Sequence, residues 1–172
     1  MAVEQGPGHE RRREGAGPSQ SEAGMWDAKG LVAVLDTSVL VSAYLSKDSH
    51  FSSSRRIVRA VGALYDSFTS PAIIAETERV LTEPRFRAPM SGIRLWLDAF
   101  VRRSRQVDSV AIPGDYSAAL GGDEKDNPIL LTALAVNLHE EGQQCIAEAG
   151  SRFGCFIVSG DKHFRAGRNV WG

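Results

Sequence analysis

Five apolar residues in succession, Leu31 to Leu35, run directly into Asp36. So short an unbroken run predicts a strand buried on both faces, as in parallel sheets. Ser38 to Leu45 reads as a short helix with Val39, Leu40, Val41 and Leu45 inward. Ser46 to Ser49 interrupts it. A second helix runs from Ser52 or Ser53 to Leu64, with Ile57, Val58, Val61 and Leu64 at helical spacing and Arg55, Arg56 and Arg59 on its outer face. Asp66 to Ser70 is a short extended segment. Ser70 and Pro71 then supply an N-cap and a first-turn proline for a helix to about Thr82, whose buried stripe is Ile73, Thr77, Val80 and Leu81. Glu83-Pro84 ends it. Another helix, capped by Ser91, extends to about Arg103, and a strand from Gln106 to Ile112 stops at Pro113-Gly114. An acidic loop from Gly121 to Pro128 feeds a helix capped by Asp126 or Asn127, with Ile129, Leu130, Ala133, Leu134 and Leu138 inward. Glu140 to Arg152 reads as a polar continuation or loop. Phe153 to Ser159 is a last apolar strand, followed by Gly160-Asp161. Strands alternating with helices predict an α/β fold around a parallel sheet.

Composition sets the limits of this pattern. Residues 1–29 are rich in Gly, Glu, Arg, Ser and Gln and poor in apolar side chains, so a disordered N-terminal tail is expected ahead of one folded unit over 30–172. Met25, just before that unit, is a second candidate for the start of translation. A net charge of −1 excludes a whole-molecule basic field, so any affinity for nucleic acid must come from a local patch or a metal ion. Arg85, Arg87, Arg94, Arg102, Arg103 and Arg105, around the predicted helical hairpin, form the densest such patch. No apolar run is long enough to span a membrane and no apolar leader is present. Two cysteines, Cys145 and Cys155, form no metal motif or disulfide framework, which fits a reducing compartment and a cytoplasmic location.

The acids carry the chemistry. Asp36 and Asp161 each follow an apolar strand, Asp126 opens a helix, and Glu76 lies at the edge of a buried helical stripe. In a βα-repeating fold, strand ends and the following helix starts meet on one side of the sheet. Carboxylates gathered there repel one another unless a cation joins them, and hard oxygen donors favour Mg2+ or Mn2+ over zinc. Such an ion polarises a phosphate and activates water for in-line attack on phosphorus. Hydroxyls at Thr37, Ser38 and Ser159 are placed to orient the carboxylates or water, and Asp123 is a further carboxylate nearby.

Four segments in order resemble the motifs of the PIN-domain nucleases: Leu35 to Ala43, Ser70 to Leu81, Asp126 with Ile129 to Ala133, and Val158 to Phe164. Together they cover about residues 31–165. Within the family the sequence is most similar to the VapC-like toxins of type II toxin–antitoxin pairs. The resemblance implies a three-layer α/β/α fold with a central parallel sheet. It also implies Mg2+- or Mn2+-dependent cleavage of RNA, a homodimer, and a cognate antitoxin protein as inhibitor. Carried over by position, Asp36, Glu76, Asp126 and Asp161 would hold the metal, and Ser38 and Ser159 fall where the family commonly places polar residues beside the acids. The sequence departs from the pattern by extra length at about 137–154 and by ending soon after Asp161.

Other readings are weaker. A haloacid-dehalogenase-like phosphatase needs a second Asp two residues after the first, where this sequence has Ser38. A flavodoxin- or receiver-like domain gives no reason for Glu76. A catalytically inactive PIN scaffold that binds RNA or a protein partner is the principal alternative to the nuclease.

Overall fold

The computed structural model describes residues 30–46, 52–108, 127–151 and 154–160. In chain order these form β1 (Val32–Leu35), α1 (Thr37–Leu45), α2 (Ser53–Ala60), β2 (Asp66–Thr69), α3 (Pro71–Leu81), α4 (Met90–Val101), β3 (Arg105–Gln106), α5 (Asn127–Leu138), α6 (Glu140–Glu148) and β4 (Phe156–Val158). A 3-10 turn, Pro84–Phe86, joins α3 to α4.

The four strands lie in the order β3-β2-β1-β4, every pair parallel. All four residues of β1 are buried. Successive strand side chains point to opposite faces, so burial of all four means that both faces are covered. Each such Val or Leu contributes about 1.5–3 kcal/mol relative to exposure. The connections from β1 to β2 to β3 step one way across the sheet, whereas the route from β3 to β4 steps back past β1. Right-handed crossovers in opposite directions lay their helices on opposite faces. Helices α1 to α4 therefore form one layer, and α5 and α6 the other. The result is a three-layer α/β/α fold with a central parallel sheet.

Local signals explain most boundaries. Ser70 Oγ accepts from the Ile73 amide with Pro71 in the first turn of α3, as its sequence predicts. Ser52 caps α2 in the same way through the Arg55 amide. Helix α2 stops at Ala60, short of the predicted Leu64. Gly62 adopts φ +78°, which a glycine alone enters without strain, and turns the chain into β2. Leu64 is consequently exposed and Tyr65 buried. Helix α1 likewise buries Tyr44 and exposes Leu45. Helix α4 begins at Met90 after Pro89, so Ser91 lies inside it and is not its cap.

The stretch read as polar continuation or loop contains a separate helix, α6, and accounts for much of the extra length near 137–154. Gly142 makes this packing possible. A Cβ there would run into the backbone carbonyl of Val136, so α6 sits tight against the end of α5. Asn137 then ties α5 to the approach of β4: its Nδ2 donates to Ala133 O at 2.7 Å and its Oδ1 accepts from the Cys155 amide at 3.2 Å. Both cysteines are free, Cys145 buried and Cys155 half-buried. Burial pushes the Cys155 thiol up to about 12, against a smaller lowering by the Val34 backbone, so it stays protonated and unreactive at neutral pH. Among the described residues, no helix is long and apolar enough to cross a membrane.

Candidate active site

Strand β1 is flanked by β2 on one side and β4 on the other, and the winding reverses between β1 and β4. In open α/β sheets, the crevice outside the carboxyl ends of strands at such a reversal is where ligands bind. Asp36 follows β1 at this point and Ser159 follows β4. The Asp36 amide donates to Val158 O at 3.0 Å, closing the last rung between the two strands.

Asp36 occupies the N-cap position of α1 but its side chain caps nothing. An Asp at that position ordinarily accepts from the helix backbone, a contact worth about 1 kcal/mol. Here the carboxylate instead accepts two hydroxyl hydrogen bonds on one oxygen, Oδ2, from Ser38 Oγ at 2.7 Å and Ser159 Oγ at 2.6 Å. Among the described residues, no hydrogen bond reaches Oδ1. Ser38 Oγ in turn accepts from the Gly160 amide at 3.1 Å, so it anchors the end of β4 to the start of α1. A Cβ on Gly160 would meet Ser38 Oγ at 3.4 Å, so the start of α1 and the segment after β4 are already in van der Waals range.

Glu76 comes from the second turn of α3. Its side chain is 28% exposed, which places it at the edge of the buried Ile73, Thr77 and Leu81 stripe, as the helical spacing predicts. Thr37 Oγ1, on the residue next to Asp36, donates to Glu76 Oε2 at 3.2 Å. Oε1 faces Arg79 at 3.8 Å, an ion pair whose exposed arginine adds little. Two acids forty residues apart in sequence are thus drawn to one edge through adjacent residues, Asp36 and Thr37.

Helix α5 starts at the same edge for a buried reason. The Thr132 and Ser70 hydroxyls share a hydrogen bond of 2.8 Å, and Thr132 Oγ1 also bonds Pro128 O at 2.7 Å. Ser70 and Thr132 are both fully buried. The second turn of α5 is therefore fastened to the carboxyl end of β2 and the start of α3, and through Pro128 O so is the first. Asp126 precedes this helix and Asp161 follows Gly160; both acids, with Asp123, lie outside the described residues. Of the six residues singled out by the sequence, the structure brings Asp36, Glu76, Ser38 and Ser159 to one edge. Among the described residues, no group of three or more metal-ligating side chains occurs.

The family model described as PIN domain matches residues 32–139, more than half of the chain. The protein belongs to the PIN domain family. PIN domains are generally nucleases and usually use divalent metal ions. No curated protein and no solved structure matches the sequence. The matched segment contains β1 through α5, and with them Asp36, Ser38 and Glu76. Among the described residues, the donors at this edge fit a hard divalent cation: two carboxylates, no sulfur or imidazole, one Asp36 oxygen immobilised by hydroxyls and the other unengaged.

One feature of the basic surface lay beyond the reach of the sequence. Three of the arginines around the predicted hairpin are neutralised, Arg85 by Glu83, Arg94 by Glu78 and Arg105 by Glu141. The pairs with Glu78 and Glu141 cross between elements, so helical spacing alone does not reveal them.

Proposed function

We propose that this PIN domain is a metal-dependent endoribonuclease that hydrolyses phosphodiester bonds of RNA. The observation that carries the reading is the Asp36 carboxylate, which leaves its capping role and is held by two hydroxyls, one from the first turn of α1 and one from the residue after β4, at the reversal point of the sheet. Asp36 and Glu76, with Asp126 and Asp161, would hold Mg2+ or Mn2+. When bound, that ion supplies charge to polarise the scissile phosphate and to lower the pKa of attacking water. The chain's own part is positional. Ser38 and Ser159 fix the rotamer of Asp36 by donating to Oδ2, and Thr37 fixes Glu76. Hydrogen bonds of this kind orient ligating carboxylates and raise the precision of the site.

The finer reading is a VapC-like toxin, acting in the cytoplasm as a homodimer and held in check by a cognate antitoxin protein. The ordered acidic motifs support it. So do the two free cysteines, which suit a reducing compartment, and the exposed Leu95 and Met90 of α4, which suit a covered interface.

The test is cleavage of a labelled single-stranded RNA by the purified full chain, titrated with Mg2+ and Mn2+ against an EDTA control. Wild type is expected to cut only with metal. Asp36→Asn is expected to lose cleavage entirely while keeping its circular dichroism spectrum. Cleavage by Asp36→Asn with unchanged metal dependence would refute the assignment. A folded wild type that cuts nothing with either metal would favour the inactive scaffold that binds RNA or protein.

A further inference from the structure

A second feature lies away from the carboxylates, in the layer formed by α1 to α4. Ala43 and Tyr44 of α1, Val58 of α2, Trp96 of α4 and three arginines line a cleft of about 340 Å³. The arginines are Arg55 and Arg59 of α2 and Arg103 just after α4. None of the three forms an ion pair with a carboxylate among the described residues, unlike Arg79, Arg85, Arg94 and Arg105. Arg55 Nη1 donates to Ser46 O at 3.1 Å and Arg103 Nε to Ala99 O at 3.1 Å. Each contact holds one N–H of a guanidinium that carries five, so the side chains are aimed while most donors remain.

Three like charges around one cleft repel, and among the described residues no acidic side chain lines it. An anion relieves that repulsion. The wall adds a second requirement. Trp96 is half-buried, stacked on Phe100 at 6.4 Å between ring centroids and set edge-on to Tyr44 at 5.5 Å, which makes a rigid aromatic surface. An anion with a flat ring attached meets both conditions, and the volume suits a ligand of that size. The cleft begins six residues along α1 from Thr37, about 9 Å at 1.5 Å per residue. A strand lying across the acidic edge can reach it.

We propose that this cleft binds one nucleotide unit of single-stranded RNA, its phosphate on Arg55, Arg59 and Arg103 and its base against Trp96. The proposal rests on the nuclease reading for its choice of substrate, and names where on the protein a part of the strand outside the cleavage site is held.

The test measures binding without cleavage. Full-length protein in EDTA is titrated into a fluorescently labelled single-stranded RNA at several salt concentrations. R59Q/R103Q is compared with R85Q/R94Q, which removes the same charge from arginines already paired with carboxylates. R59Q/R103Q is expected to bind about tenfold more weakly, with a slope of log affinity against log salt shallower by about 1 to 2. R85Q/R94Q is expected to bind close to wild type, and both variants to melt as wild type does. Equal losses in the two variants, or none in either, would overturn the proposal. R59K/R103K, which keeps charge and stem, is expected to restore most of the binding, and its failure while folded would count against a phosphate contact. Adenosine monophosphate is the second probe. If it quenches Trp96 fluorescence through this cleft while R59Q/R103Q binds RNA normally, the site serves a free nucleotide and the strand contact is overturned. RNA binding through the cleft by a protein that cuts nothing would sink the nuclease reading and leave this inference standing.

Discussion

Single residues already separate groups held for the site from groups held for the fold. Tyr65 belongs to the fold. It is buried, its hydroxyl donates to Ile57 O at 2.9 Å, and burial pushes its pKa from 10.0 up to about 12 despite the nearby positive Arg103. A folded pKa above the unfolded one means that the unfolded chain gives up its proton first. The associated stability is intact below pH 10 and is lost progressively as pH rises toward 12. At about 1.4 kcal/mol per unit, some 2 to 3 kcal/mol is at stake. Urea unfolding from pH 8 to 11.5 is expected to show that loss in wild type and a flatter alkaline limb in Tyr65→Phe. Thr69 offers the opposite case. Its Oγ1 is buried on β2 with no hydrogen-bond partner among the described residues. Thr69→Val keeps the shape and removes the unsatisfied hydroxyl, so it is expected to be neutral or stabilising by about 1 kcal/mol in denaturant melts. A loss of several kcal/mol would mean that the hydroxyl has a partner in solution.

Among the elements, α5 does the most to assemble the edge. It packs against β1, β2 and β4, and its second turn is fastened to Ser70 through Thr132. Thr132→Val breaks that tie and leaves the Ser70 hydroxyl buried with one partner fewer, which is expected to cost about 1–3 kcal/mol. Because the same tie positions the start of α5, RNA cleavage by Thr132→Val is expected to fall even at temperatures where the variant is fully folded. Unchanged cleavage would show that the edge assembles without it. The element scale also exposes the boundary of pattern reading. Apolar spacing located α3 and its cap because a cap acts within three residues. It carried α2 on to Leu64 because Val61 and Leu64 keep the helical spacing, although Gly62 turns the chain there. In α1, spacing alone could not choose between Tyr44 and Leu45, and the neighbouring layer buried the tyrosine.

Across the whole molecule, the winding reversal sets Asp36 at one end of the sheet, where Thr37 draws in Glu76. Carboxylates gathered for a cation trade stability for binding, since like charges repel until the cation joins them. Millimolar Mn2+ is therefore expected to raise the melting temperature of wild type, by an amount equivalent to about 2.7 kcal/mol when the ion is at a hundred times its Kd. Asp36→Asn is expected to be at least as stable as wild type without metal and to respond weakly when metal is added. Equal metal-induced shifts in both proteins, read by calorimetry, would place the ion elsewhere.

The sequence by itself determined the buried strand of Val32 to Leu35, the carboxylate at its end, the capped start of α3 and the position of Glu76 on its helix edge. Each of these follows from interactions among residues a few positions apart, which period and capping record directly. The tertiary structure alone decided that Ser38 and Ser159, 121 positions apart, both donate to Asp36. It alone decided which arginines are neutralised and which converge around Trp96. Those outcomes depend on strand order, on the parallel register of β1 with β4 and on how α2 and α4 meet across a layer, and a pattern of residues along a chain does not encode which distant side chains the packing brings within hydrogen-bonding distance.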